Sequence, residues 1–202
     1  MRILVVIPLF IALLLTPGAV ARAGWPDYAP SEIIVTPGAF VMTPSGSGES
    51  LQDQGVAIEL WLRDYIRGVL VDFPRQDLWL ETPSVVGLTW CSGGRIADSN
   101  TDAEGHTSFR RALAGGGWSE AGLTVYAAGE AIAQTPFGGD TLMDLRVNSP
   151  DINGDLVVDL SDIALFGNDL VSYHFRADYD HDGQVNLTDI ALFAGWIGDR
   201  CP

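Results

Sequence analysis

The sequence predicts a mainly β protein of 202 residues with a small α-helical module at its C-terminal end. Short apolar or alternating runs, separated by Pro, Gly, Ser and Asn, fill residues 24–149 and predict an antiparallel β-sandwich. From residue 150 onward, Asp and Asn occupy alternate positions and apolar residues follow at helical spacing. This second texture predicts two loop–helix units in residues 150–202.

An apolar segment precedes both regions. Arg2 is followed by an apolar run of 13 residues, and Ala21-Arg22-Ala23 has the small-x-small pattern of a cleavage site. An uncleaved membrane anchor is the alternative, but a spanning helix needs roughly 20 apolar residues. We therefore predict that residues 1–23 are a signal peptide. The mature chain is expected to be secreted, either free outside the cell or at the cell surface, without a membrane span.

The mature chain is strongly acidic. Once residues 1–23 are removed, nine arginines face 26 carboxylates, and the sequence contains no lysine. A formal charge of −17 repels the phosphates of nucleic acids, so nucleic-acid binding is not expected. The charge suits cations or a partner with a basic surface.

Nine runs in the N-terminal region have the length and pattern of strands. They lie at residues 32–35, 39–42, 56–62, 69–71, 78–80, 85–90, 107–113, 123–128 and 141–147. The run 56–62 also fits a helix, but its flanks and spacing favour a strand. Glycine-rich segments such as 115–117 are typical of turns and are predicted to separate the strands.

One pattern gives a more specific indication of the sandwich. Residues 101–109 read T-D-x-x-G-x-x-x-F, in which Asp102 and Gly105 suit a tight turn and Phe109 would point inward. The pattern resembles the bacterial immunoglobulin-like repeats of surface and secreted proteins. The resemblance implies an immunoglobulin-like β-sandwich and says nothing about a reaction.

The C-terminal region contains an internal repeat. Residues 151–162 align with residues 178–189 at an offset of 27, and the segments 163–166 and 190–193 that follow both read IALF. A repeat this close indicates a duplicated structural unit. We call residues 151–162 loop 1 and residues 178–189 loop 2.

Each loop has oxygen-bearing groups at the spacing of a calcium site. Calcium takes six to eight oxygens at about 2.3–2.6 Å, and a 12-residue loop can supply them from side chains at positions 1, 3, 5, 9 and 12 and the carbonyl at position 7. In loop 1 these groups are Asp151, Asn153, Asp155, Asp159, Asp162 and the carbonyl of Val157. In loop 2 they are Asp178, Asp180, Asp182, Asn186, Asp189 and the carbonyl of Gln184. Solvated acidic turns are the alternative, but two loops in register favour two bound Ca2+ ions.

The two units resemble the type I dockerin module over residues 148–197. Position 12 is Asp rather than the Glu of an ordinary EF-hand, and residues 163–177 leave room for one helix between the loops. The resemblance implies a module that folds around two calcium ions and docks its carrier to a cohesin-like domain. Loop positions 10 and 11 would contribute to partner choice, and here they are Leu160, Ser161, Leu187 and Thr188.

The loops differ at position 6, which is Gly183 in loop 2 and Leu156 in loop 1. A leucine held in the left-handed conformation costs roughly 1–2 kcal/mol, so we expect loop 1 to bind calcium more weakly or to be distorted. From Asp151 onward ten acids face only Arg176 and Arg200. We therefore expect the module to be largely unfolded without metal.

The two cysteines allow two interpretations. In an oxidising compartment Cys91 and Cys201 can form a disulfide, which would tie the end of the chain to the N-terminal domain. The alternative is two separate thiols. We favour the disulfide.

The sequence contains no evident catalytic constellation. His106, His174 and His181 have no partner at triad or metal-ligand spacing, and Ser92 is not in a nucleophile-elbow motif. We therefore predict a non-enzymatic binding or assembly protein.

Three alternative functions stay open. The N-terminal domain can be a carbohydrate-binding accessory in a polysaccharide-degrading assembly, with Trp25, Trp79 or Trp118 as a sugar-stacking platform, although tryptophans used in packing explain the same residues. It can also be a small glycoside hydrolase. Finally, the dockerin-like module can pack against its own β-sandwich, with calcium and the disulfide acting only to stabilise the fold.

Overall fold

The computed structural model describes residues 31–64, 66–83, 87–132 and 140–202. The predicted signal peptide, Trp25 and the first two residues of the run 85–90 lie outside this part of the chain. Ten strands and two α-helices in the described residues confirm a mainly β fold with a small helical region. The strands are β1 (Glu32–Val35), β2 (Gly38–Val41), β3 (Ile58–Trp61), β4 (Leu78–Glu81), β5 (Leu88–Trp90), β6 (His106–Phe109), β7 (Gly115–Gly117), β8 (Thr124–Ala127), β9 (Glu130–Ile132) and β10 (Leu145–Asn148).

The helices both lie in the C-terminal repeat, as predicted. They are α1 (Leu160–Asp169) and α2 (Leu187–Trp196), and each starts inside the last turn of its loop. A short 3-10 turn, Phe175–Ala177, connects α1 to loop 2. In the described ranges, no helix combines the length and apolar character needed to cross a membrane.

The strands form several small sheets rather than one continuous sheet. Their orders are β1-β3-β6, β4-β8-β9, β5-β7 and β10-β2. All pairs are antiparallel except β2 with β10, which departs from the predicted antiparallel arrangement. A parallel pair requires a long crossover, and here residues 42–144 between the two strands provide it.

The strand predictions hold with two kinds of exception. Eight of the nine runs contain a strand, whereas the run 69–71 forms only a single bridge between Arg63 and Val69. The glycines 115–117, predicted as a turn, form strand β7, and β9 was not predicted at all. The turn prediction is wrong because a glycine run also fits a strand to which another segment must come close.

The larger core is formed by alternate residues of the strands. In β3 and β4 the inward residues Ile58, Leu60, Leu78 and Leu80 are fully buried, and the residues between them are half-buried on the other face. Burying each such side chain stabilises the fold by roughly 1.5–3 kcal/mol. This core therefore fixes which residues of β3 and β4 face outward.

A smaller core belongs to the C-terminal repeat. The rings of Phe166 and Phe193, which occupy equivalent places in the two IALF segments, stack with centroids 5.0 Å apart. The ring of Tyr179 lies 6.0 Å from that of Phe166. Val41 of β2 joins the same cluster, so the N-terminal domain contributes to this core.

Asn148, at the end of β10, connects the two parts of the chain. Its side chain is fully buried and donates to the carbonyls of Phe175, at 2.9 Å, and Asp178, at 2.8 Å. Its amide oxygen lies 3.2 Å from Nε2 of His181. A buried amide with all these partners is costly to remove, so Asn148 fixes the start of loop 2 on the strand.

Strand β7 makes the matching contact with loop 1. The amide of Gly117 donates to the carbonyl of Asp151 at 2.7 Å. A Cβ atom at Gly116 would lie 1.7 Å from Oδ2 of Asp151. The glycine strand therefore exists where the loop must approach the backbone closely.

The end of the chain is also fixed to the N-terminal domain. Cys91 and Cys201 are joined by a disulfide, with their Cα atoms 5.8 Å apart. Ser45 donates to Oδ2 of Asp199 from its amide, at 3.2 Å, and from its hydroxyl, at 2.9 Å. The C-terminal repeat is thus held on the N-terminal domain through both loops and through its last residues.

We predict that Gly116→Ala destabilises the whole chain. The added methyl group overlaps the Asp151 carboxylate, and overpacking of this kind costs about 1–3 kcal/mol in the free energy of unfolding. Urea denaturation of the full chain in calcium-containing buffer measures the effect.

Gly167→Ala in α1 is the matched control. Nothing lies within 4 Å of the new Cβ, so this variant should be more stable than the wild type by about 0.5–1 kcal/mol. A Gly116→Ala variant as stable as the wild type would show that loop 1 is not packed on β7.

Candidate metal centre

The carboxylate at position 1 organises each loop. In loop 1, Asp151 accepts from the amides of Gly154, at 2.9 Å, Asp155, at 3.1 Å, and Leu156, at 2.7 Å. In loop 2, Asp178 accepts from the amides of residues 182, at 3.2 Å, and 183, at 3.0 Å. The two loops therefore wrap around equivalent carboxylates.

The carboxylate at position 12 closes each loop. Asp162 accepts from the amides of Asn153, at 3.1 Å, and Asp159, at 2.9 Å. Asp189 accepts from the amides of Tyr179, at 2.6 Å, and Asn186, at 2.8 Å. Each position-12 residue thus lies in the first turn of its helix while its side chain points back into the loop.

Position 9 has a structural role in both copies. The side chain of Asp159 accepts from the amide of Ser161 at 2.7 Å, and that of Asn186 accepts from the amide of Thr188 at 2.8 Å. Together with the position-12 carboxylates they form capping boxes on α1 and α2. The predicted calcium ligands at this position therefore also define where the helices begin.

Positions 3 and 5 repeat the same hydrogen bonds from loop to loop. The position-3 oxygen accepts from the amide at position 5, at 2.8 Å in loop 1 and 3.3 Å in loop 2. The position-5 carboxylates accept from the amides of Val157, at 3.0 Å, and Gln184, at 2.8 Å. The oxygen atoms predicted as ligands are thereby oriented by the backbone of their own loop.

Four of these carboxylates are buried without a positive partner. Asp151, Asp162, Asp178 and Asp189 are at most 1% exposed. Across the described residues, no Arg or His forms an ion pair with any of them. Burial raises the pKa of Asp151 to about 6 and also raises the pKa of Asp162. A buried carboxylate is unfavourable unless a cation or strong donors compensate its charge.

Asp169 shows the contrast within the same region. It is equally buried, but Arg176 donates to both of its oxygens, at 2.7 and 2.9 Å. Among the described residues, the one buried carboxylate outside the loops is therefore paired with an arginine, while those inside the loops have only hydrogen-bond donors around them.

Loop 2 has the spacing needed to hold a metal ion. Asp178, Asp180 and Asp182 each offer a carboxylate oxygen, and these oxygens all lie within 4.8 Å of one another. Oxygens that share one calcium ion at about 2.3–2.6 Å lie at most about 5 Å apart. A set made only of oxygens suits a hard cation such as calcium or magnesium better than zinc.

In loop 1 the chain end lies beside position 7. Val158 donates to the carbonyl of Asp199 at 2.8 Å, and Cys201 donates to the carbonyl of Leu156 at 3.3 Å. These bonds use the groups on either side of Val157, whose carbonyl is the predicted ligand. The disulfide at Cys201 therefore also supports loop 1.

Each loop contains two residues with a left-handed backbone conformation, at positions 4 and 6, and one of the two is a glycine. At position 6 the φ angles are +73° for Leu156 and +87° for Gly183. At position 4 they are +74° for Gly154 and +56° for His181. Leu156 thus adopts the strained conformation expected from the sequence, and His181 carries a corresponding strain in loop 2.

The side chain of His181 packs against other residues instead of pointing into solvent. Its ring stacks on Phe175 with centroids 5.7 Å apart, and its Nε2 contacts Asn148. Burial lowers the pKa of His181. These contacts stabilise the non-glycine residue at position 4. The sequence does not indicate them, because Asn148 lies outside loop 2.

The predicted partner-binding residues lie on the first turns of the two helices. Leu160 and Leu187 are 79% and 80% exposed, and Ser161 and Thr188 are exposed as well. The two copies therefore present the same residue types to solvent in the same way.

The structure also brings together a polar cluster that the sequence did not predict. Nε2 of His106 lies 2.7 Å from Oε2 of Glu59, and Arg110 donates to the other oxygen of Glu59. Glu59 and His106 are 47 residues apart, but their strands β3 and β6 pair side by side. Only strand register, which the sequence leaves open, could have revealed this cluster.

The chain was compared with protein-family models, with curated proteins and with solved structures, and none of them matches it. The resemblance to dockerins therefore stays a prediction that rests on the residues of loops 1 and 2.

We predict that Leu156→Gly strengthens calcium binding at the weaker of two sites. Glycine removes the strain at φ +73°, and this gain exceeds the chain entropy that glycine adds. Titration calorimetry of the full chain should show the affinity of that site rising by about fivefold.

Val157→Gly provides the control, because it adds the same chain entropy beside Leu156 at a residue that needs no left-handed conformation. This variant should bind calcium no more tightly than the wild type. An affinity that is unchanged or lower in Leu156→Gly would contradict the strain argument.

Proposed function

We propose that this chain is a secreted, calcium-binding and non-catalytic docking protein. Its C-terminal repeat acts as a dockerin-like module with two calcium ions, and its small sheets form an immunoglobulin-like β-sandwich. The observation that carries the proposal is the duplicated loop–helix unit. Its two copies match in the hydrogen bonds around buried carboxylates and in the exposure of the leucine at position 10.

Calcium is supported by charge and by geometry. The position-1 and position-12 carboxylates are buried without a positive partner among the described residues, and loop 2 has a triad of oxygens at metal spacing. A bound ion supplies the positive charge that compensates these carboxylates. Residues at both ends of each loop, Asp151 with Asp162 and Asp178 with Asp189, would hold it.

Docking to a second protein is supported by a surface of the module that is exposed to solvent. We call Leu160, Ser161, Ile163, Leu187, Thr188 and Ile190 the docking face. Ile163 and Ile190 are each 37% exposed, so the two copies match beyond the leucines. Apolar side chains exposed in equivalent places on two helix starts are typical of a surface that a partner covers.

Packing against the chain's own β domain is compatible with an external partner. On the β domain, the internal contacts use Asn148, Val41, the glycine strand β7, Ser45 and the disulfide. On the module, they involve the loops, the turn Phe175–Ala177, the small core around Phe166 and Phe193, and the chain end. None of the docking-face residues takes part in these contacts. We therefore propose that the β domain orients the module and that a cohesin-like domain binds the docking face.

Secretion is supported by the N-terminal segment and by the disulfide. The predicted signal peptide exports the chain, and a Cys91–Cys201 bridge persists in an oxidising compartment. Extracellular calcium levels also favour occupancy of loops that bind with modest affinity.

The direct test is binding of the full chain to a panel of purified type I cohesin domains, measured by calorimetry in calcium and in chelator. We expect binding in calcium to at least one cohesin and none in chelator. The double variant Leu160→Asp, Leu187→Asp should weaken binding by at least about tenfold, because it places charge on both halves of an apolar interface.

Val171→Asp serves as the control, because Val171 is 89% exposed and lies outside the docking face. It should bind the cohesin like the wild type, and all variants should bind calcium equally. A chain that binds calcium but no cohesin would contradict the docking function and favour a module that serves only its own β domain.

A further inference from the structure

A cleft on the N-terminal domain has no part in the proposed docking function. It has a volume of about 420 Å³, within the range of small-molecule sites. Its lining includes Trp79, Trp90, Gln76, Arg95 and Ile96. Two indole rings and two long polar side chains thus meet in one concave surface.

Trp79 forms one wall of the cleft and is not a core residue. It lies on the outward face of β4 and joins neither of the two cores formed by the described residues. Its ring stacks on Tyr126, the residue directly opposite on β8, with centroids 5.7 Å apart and planes 10° apart. Stacking on Tyr126 therefore fixes the position of the Trp79 indole, which lines the cleft.

The polar groups around Trp90 are fixed by Glu81. Nε1 of Trp90 donates to Oε1 of Glu81 at 3.2 Å, and Arg95 donates to Oε2 of the same carboxylate. Glu81 therefore fixes the orientations of the Trp90 ring and the Arg95 guanidinium without a ligand. Because Glu81 compensates the charge of Arg95, this part of the cleft has no net charge, and Arg95 keeps further N–H donors for a ligand.

We propose that this cleft binds a neutral oligosaccharide. The C–H faces of pyranose rings stack on indoles, and the amide of Gln76 and the guanidinium of Arg95 can pair with hydroxyl groups at the ring edge. Nucleic-acid bases also stack on aromatic side chains, but a chain with a formal charge of −15 repels their phosphates. An uncharged ligand that is both apolar on its face and polar at its rim fits these groups.

The cleft is independent of the docking face. Its residues come from the 3-10 turn Arg75–Asp77, β4, β5 and residues 91–96, whereas the docking face lies on α1 and α2. The inference therefore goes beyond the proposed function, and either can fail without the other. Calcium is kept in the buffer so that the module stays folded in every measurement.

The test is calorimetric titration of the full chain with the soluble β-1,4-linked hexasaccharides of glucose, xylose, mannose and N-acetylglucosamine. We expect at least one to bind with a dissociation constant below about 1 mM. Trp79→Ala should weaken that binding by at least about tenfold and Gln76→Ala by a few-fold, because each removes one type of contact.

Trp61→Ala is the matched control, because Trp61 is also half-buried and on a strand but contacts His106, away from the cleft. It should bind the sugar within about twofold of the wild type. Equal calcium binding shows that each variant is folded, and Trp79→Tyr, which keeps an aromatic ring, should retain most of the affinity.

Three results would overturn the proposal. The first is the absence of binding to all four hexasaccharides by a wild-type chain that binds calcium. The second is binding that persists in Trp79→Ala. The third is tighter binding of hexagalacturonate than of any neutral sugar.

Discussion

Four carboxylates buried at the ends of two short loops are the constraint on which the C-terminal region depends. Asp151 and Asp162 lie together in loop 1, and Asp178 and Asp189 do so in loop 2, all nearly inaccessible to solvent. Backbone amides orient them, but in loop 1 these bonds offset only part of the cost of burial, because the pKa values of Asp151 and Asp162 stay raised. Asp162 and Asp189 also take part in the capping boxes of α1 and α2, so the charge, the loop path and the start of each helix form one unit. As we propose, a cation bound in each loop would make that unit favourable.

The C-terminal repeat packs into the larger fold and is not simply appended to it. Asn148 bonds to the start of loop 2, the glycine strand β7 admits loop 1, and the disulfide holds the chain end. A metal ion that orders the loops would therefore also support the strands on which they pack. In the function that we propose, the docking face stays exposed on the helices, and the β domain would set the orientation in which a partner binds the module.

Much of this arrangement follows from local patterns in the sequence. The 27-residue repeat predicted both loops and both helices, and period-two alternation predicted strands such as β1 and β4. Contacts between distant residues could not be predicted in this way. The role of residues 115–117 depends on the loop that packs there, and the pairing of Glu59 with His106 depends on strand register. Trp79 was a candidate for sugar stacking, but its partner Tyr126 and the cleft became evident only from the strand pairing.

The most direct measurement of the central claim is calcium titration calorimetry on the chelator-stripped full chain, with far-ultraviolet circular dichroism recorded alongside. Our account predicts two calcium ions per chain, one bound more weakly because of Leu156, and a gain of helical signal as α1 and α2 form. No binding of calcium, or a helical signal that is already complete in chelator, would contradict it.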